Sequence, residues 1–112
     1  MLNATFARVS EEDLPRLRSW LAGLDARRDE LAESYRREGT RHELFFVIRA
    51  SPDPIVVLIS EVADLEHAVS SFLQSNQPLD LEFKSLVMDI AENESDVELL
   101  FDSARVLGPL PA

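Results

Sequence analysis

The chain has 112 residues, 46% of them hydrophobic and 29% charged, and a net charge of −10 at neutral pH. That length suits one domain with its own core, and so acidic a chain lacks the basic surface on which nucleic-acid binding depends. The absence of cysteine excludes disulfides, thiolate metal sites and thiol catalysis.

Residues 3–9 read as a short strand, and Ser10 to Asp13 supply helix-start chemistry. Pro15 is tolerated only in a first helical turn, so Asp13 is the expected N-cap. Leu14, Leu17, Leu21, Leu24, Leu31 and Tyr35 then follow three-and-four spacing, predicting one continuous helix that ends near Gly39. Position 28 falls in the same series and is arginine.

Residues 41–49 and 55–62 are rich in β-branched and aromatic side chains, and the Ser51-Pro52-Asp53-Pro54 turn joins them into a predicted hairpin. Both faces of each strand are apolar, so the sheet is expected to be covered on both sides. Asp64 can cap a helix over 65–75, and a further helix follows Pro78 with Asp80 and Glu82 in its first turn, where the helix dipole favours acids. Asn93 to Asp96 read as a polar turn, Val97 to Phe101 as the last strand, and 108–112 as an unstructured tail beyond a single domain over 1–107. No stretch approaches the ~20 apolar residues of a membrane helix, and Met1 to Thr5 show no leader pattern. The expectation is a cytoplasmic protein without a membrane partner.

The resulting order, β-α-β-β-α-α-β, predicts the α+β class: a ferredoxin-like split βαβ domain with a four-stranded antiparallel sheet and its helices on one face. The second apolar face then calls for cover, and a second subunit is the economical source, giving a homodimer. Charge is divided along the chain. Residues 1–50 hold nine acids and nine arginines, whereas 51–112 hold twelve acids and only Lys84 and Arg105 as bases.

Three stretches carry a resemblance: Leu24-Asp25-Ala26-Arg27-Arg28-Asp29-Glu30 through Gly39, Ser75-Asn76-Gln77-Pro78-Leu79-Asp80-Leu81-Glu82, and Val97-Glu98-Leu99-Leu100-Phe101-Asp102. Together they resemble an uncharacterised family of bacterial proteins of similar length, a domain of unknown function. The resemblance implies a ferredoxin-like domain of the dimeric α+β barrel type and transfers no catalytic residue. Where that family often has histidine after the glutamate of the second stretch, this chain has Phe83.

Among residues able to carry chemistry, Arg28 on an apolar stripe must reach water or an acid, and at a cavity mouth its planar fork would bind an anion. Glu43 shares a strand face with Phe45 and Val47, and Glu61 continues the face of Ile55, Val57 and Ile59. Either carboxyl would gain a raised pKa on entering a cavity. Trp20 and Tyr35 could line a ligand site or a subunit seam. His42 and His67 lack metal-ligand spacing, and the three glycines form no phosphate loop, so neither a metal nor a cofactor is expected. Two functions follow: a pocket for a small, largely apolar molecule between sheet faces, touched by Arg28, Glu43 or Glu61, or a non-enzymatic interaction protein whose sheet face serves only as an interface.

Overall fold

The structure, a computed structural model, describes residues 1–49, 52–95 and 97–108, and of 93–95 the backbone alone. Strand β1 (Leu2–Arg8) leads into helix α1 (Leu14–Ala22), a 3-10 segment over Gly23–Arg27 and helix α2 (Arg28–Glu38). The hairpin strands β2 (Thr40–Ile48) and β3 (Ile55–Val62) follow. Helices α3 (Leu65–Gln74) and α4 (Pro78–Ile90), strand β4 (Glu92–Ser95) and the single turn α5 (Ala104–Leu107) complete the chain.

Local chemistry explains most boundaries. Gly39 closes α2 in the left-handed region (φ 74°), donating its N–H to the Tyr35 carbonyl, a conformation that costs a side-chain-bearing residue strain. The Asp64 carboxylate accepts the His67 N–H at the start of α3. Pro78 opens α4. The expected continuous helix over 14–39 is instead broken by the five-residue 3-10 segment. Leu21, Leu24, Leu31 and Tyr35 still face one cavity across the break, but Arg28, at the junction of the tighter 3-10 winding with α2, sits exposed rather than on that face.

The fold class expected from the sequence needs correction. The regular sheet is three antiparallel strands in the order β1-β3-β2, each pair in register over its length apart from one irregularity near Thr40. At the outer edge of β1 the four-residue β4 adds, among the described residues, two register pairs, Phe6 with Ser95 and Arg8 with Glu92. Residues 97–101, expected as the last strand, form none and are exposed. The sequence of elements, β-α-α-β-β-α-α-β-α, also differs from the expected split βαβ order. High β-propensity did not decide the pairing: the chain leaving α4 at Ile90 reaches the β1 edge with residues 92–95, so the polar segment pairs and the apolar one runs past.

Register pairing divides the sheet's side chains. Asn3, Thr5 and Ala7 share a face with Val56, Leu58 and Ser60 and with Glu43, Phe45 and Val47. Helices cover this face, where Val9, Leu14, Leu17, Val56, Leu86 and Ile90 form the buried core. The other face carries Leu2, Ala4 and Phe6, then Ile55, Val57 and Ile59, then Leu44, Phe46 and Ile48. Of these, Leu2 is 70% exposed and Leu44, Phe46 and Ile48 between 41% and 50%. No helix of the described residues is long and apolar enough to cross a membrane.

Candidate functional site

Between the helices and the covered face of the sheet lies a cavity of about 770 Å³. Leu58 and Phe45 rise into it from the sheet, Trp20, Leu24 and Leu31 from the first helical layer, and Phe72 and Phe83 from α3 and α4. Phe83 anchors the aromatic wall, its ring 5.1 Å from Trp20, 5.9 Å from Phe45 and 6.0 Å from Phe72. A smaller cavity of about 450 Å³, lined by apolar side chains and Thr5, adjoins it past the same Phe45, Leu58 and Phe83 side chains.

A chain of acids and hydroxyls crosses the apolar lining. Asp80, only 2% exposed in the first turn of α4, accepts the Ser34 hydroxyl at 2.6 Å and the Ser75 hydroxyl at 2.6 Å. Ser34 Oγ also lies 3.2 Å from Glu38 Oε2, and the Thr40 hydroxyl donates to Glu38 Oε1 at 3.0 Å. A serine carries a single hydroxyl proton. The shorter contact assigns it to Asp80, so the bond between Ser34 and Glu38 requires Glu38 to bring a proton of its own. Burial, reinforced by the charges of Glu43 and Asp80, pushes the Glu38 carboxyl up to about 7, in agreement with that count. Across the cavity, burial raises the Glu43 carboxyl too, against the hydrogen bonds it accepts from the Tyr35 and Ser60 hydroxyls. The Tyr35 phenol is raised in turn by its own burial and by the neighbouring Glu43 charge.

The sequence-derived candidates divide between two locations. Trp20, Tyr35 and Glu43 line the cavity. Glu61 projects from the opposite face of the sheet, opposite Leu2 and His42 in the register, with Arg41 3.7 Å from its carboxylate. Arg28 is exposed and does not line the cavity. Its neighbour Arg27 makes the contacts instead, bridging Glu30 at 2.8 Å and Glu82 at 2.7 Å, and Trp20 Nε1 donates to the same Glu82 at 3.2 Å. These bonds to Arg27 hold the Glu82 carboxylate below its usual range. Asp80 has a local explanation in the sequence, because the helix dipole favours an acid in a first turn; Glu38, the last residue of α2, has none and is not among the sequence-derived candidates. The one available signal was the Ser34 and Glu38 pair at i,i+4. His67 is exposed at α3, its Nε2 2.9 Å from the Arg37 carbonyl. Among the described residues, no group of three or more histidines, aspartates and glutamates is close enough to hold a metal ion.

Fold and site together define an α+β domain with a half-open, largely apolar cavity crossed by buried carboxyl groups. Residues 2–107 match the family of unknown function DUF6176, and the chain belongs to it. No curated protein and no solved structure matches the chain significantly.

Proposed function

We propose that the protein binds a small, largely apolar molecule in the 770 Å³ cavity, and that this molecule presents hydrogen-bond donors, with an alkyl or aryl amine as the simplest case. The supporting observation is the imbalance of polar groups around an otherwise apolar lining. The ionisable acids there are Asp25, Glu38, Glu43 and Asp80, and among the described residues no lysine, arginine or histidine lines the space. Four lining hydroxyls, those of Ser34, Tyr35, Thr40 and Ser60, already donate to these carboxyls. Glu38 brings a proton of its own, which leaves Asp80 and Glu43, each accepting two hydroxyls where an ionised carboxylate offers about four acceptor sites, so acceptors still outnumber donors and a guest that brings donors completes the network. An anionic guest would meet uncompensated like charge in a partly desolvated space. The volume falls within the ~300–1,000 Å³ of small-molecule sites.

Trp20 is the sole tryptophan and lines the cavity, so its fluorescence reports occupancy directly. Titration with an n-alkylamine, the alcohol and the carboxylic acid of the same chain length should give at least tenfold tighter binding for the amine. Glu43→Gln should remove most of that preference. Equal binding of all three would retain the cavity and sink the donor requirement, while no response to any of them would sink the pocket.

A further inference from the structure

The C-terminal segment poses a separate problem from the cavity. Leu99, Leu100 and Phe101 are 69%, 86% and 73% exposed, and Val106 and Leu107 follow at 71% and 83%. The described hydrogen bonds of 97–108 all run within the segment. An apolar arm of this kind in water is unfavourable, and patches of such size mark interaction sites. The same chain holds a second unpartnered apolar surface, the open sheet face around Leu44, Phe46 and Ile48.

We propose that the arm 97–107 of one copy lies across the open sheet face of a second copy, and that two-fold exchange of the arms makes a dimer. Each surface supplies what the other lacks, and the arm of this chain leaves its own face bare. Reciprocal exchange satisfies the two-fold rule that a patch i meets j while j meets i. It also doubles the contact: nine apolar side chains on the face and six on the arm, with their charged borders, approach the ~20–30 residues per side of a standard stable interface. The charges fit as well. Glu98 and Asp102 flank the apolar triplet, while exposed Arg41 and Arg49 stand at the two ends of β2; Arg49 is held by Glu11 at 2.9 Å and Arg41 lies a looser 3.7 Å from Glu61, so Arg41 is the cation an arm acid would meet, a contact that fixes orientation more than affinity.

Size-exclusion chromatography with light scattering on the full chain should give twice the 12.6 kDa subunit mass at micromolar concentration. Leu100→Glu on the arm and Phe46→Glu on the face should each weaken the dimer at least tenfold, with far-UV circular dichroism unchanged. The chain has no cysteine, so a Leu99→Cys protein mixed with a Leu44→Cys protein should oxidise to a mixed disulfide dimer in preference to either homodimer. A monomeric wild-type chain at 100 μM would overturn the proposal. So would a dimer indifferent to both glutamate variants, or a chain carrying both cysteine substitutions that closes its disulfide within one monomer.

Discussion

The two faces of the sheet invert the usual distribution of side chains. Along β2, Glu43 turns toward the helices, while its neighbours Leu44 and Phe46 turn to solvent. The covered face adds Ser60 from β3, and the helices above it bring Glu38 and Asp80. A chain selected for monomeric stability alone would bury the aliphatic set and expose the acids, because a buried carboxyl costs free energy unless hydrogen bonds offset it. Buried polar groups and exposed apolar patches are the two observations that mark function on a surface. Here they lie back to back on the same three strands, which keeps the proposed small-molecule site apart from the proposed subunit surface.

The largest test of this division compares one substitution in the core with one on the open face. Leu14, 2% exposed, packs with Val9 and Val56 beneath α1, and Leu14→Ala should cost about 2–5 kcal/mol, the range for emptying a buried leucine site. Phe46→Ser, on a side chain 48% exposed, should cost much less when unfolding is followed by urea at low nanomolar concentration. Equal losses there would mean that the open face is part of the monomer's core and would break the comparison.

Next in size is Asp80→Asn. The carboxylate accepts two serine hydroxyls at 2.6 Å in a site 2% exposed, and an amide of the same shape offers one oxygen and presents N–H groups to the other hydroxyl. Leaving a buried polar group unpaired costs about 1–3 kcal/mol, readable as a shift of the urea midpoint at constant slope. A neutral result would mean that the serines turn to other partners and that Asp80 does not organise the cavity wall. Smaller again is Gly39→Ala. The added methyl group meets only the Ala63 Cβ at 3.6 Å, so the expected loss, about 1–2 kcal/mol, comes from the left-handed backbone alone.

These tests bear on elements of unequal legibility. The hairpin was legible because nearly every residue of 55–59 is β-branched, and α3 and α4 because Asp64 and Pro78 mark their starts chemically. The 3-10 break was not legible: Leu21, Leu24 and Leu31 keep helical spacing through it, and Gly23 alone does not reveal a change of winding. That five-residue segment decides which of two adjacent arginines meets Glu82. The last strand was misplaced because edge pairing depends on where the chain arrives, which propensity does not encode. Within the site, Glu43 could be read from strand alternation, a local rule. Glu38 and Asp80 could not, since their meeting at Ser34 joins the end of α2 to the start of α4, residues 42 positions apart in sequence.

The remaining test reads a slope with pH in place of a single loss, and its sign separates a neutral from a charged cavity. The Glu38 carboxyl sits at about 7 in the folded chain against an ordinary 4.5, so between those values the native state holds a proton that the unfolded chain has released. Stability then falls as pH rises through that window, because the unfolded state binds fewer protons there. The contribution is fully present below pH 4.5 and is lost above about 7. Glu38→Gln keeps the shape of the protonated acid and cannot ionise, so it should flatten this part of the profile and leave Glu43, also raised by burial, to supply what slope remains. Urea unfolding of both proteins at intervals from pH 4.5 to 8 gives the comparison directly. Parallel profiles would mean that Glu38 is ionised throughout, and the proton count at Ser34 would then have to be reversed, with its hydroxyl donated to Glu38 rather than to Asp80.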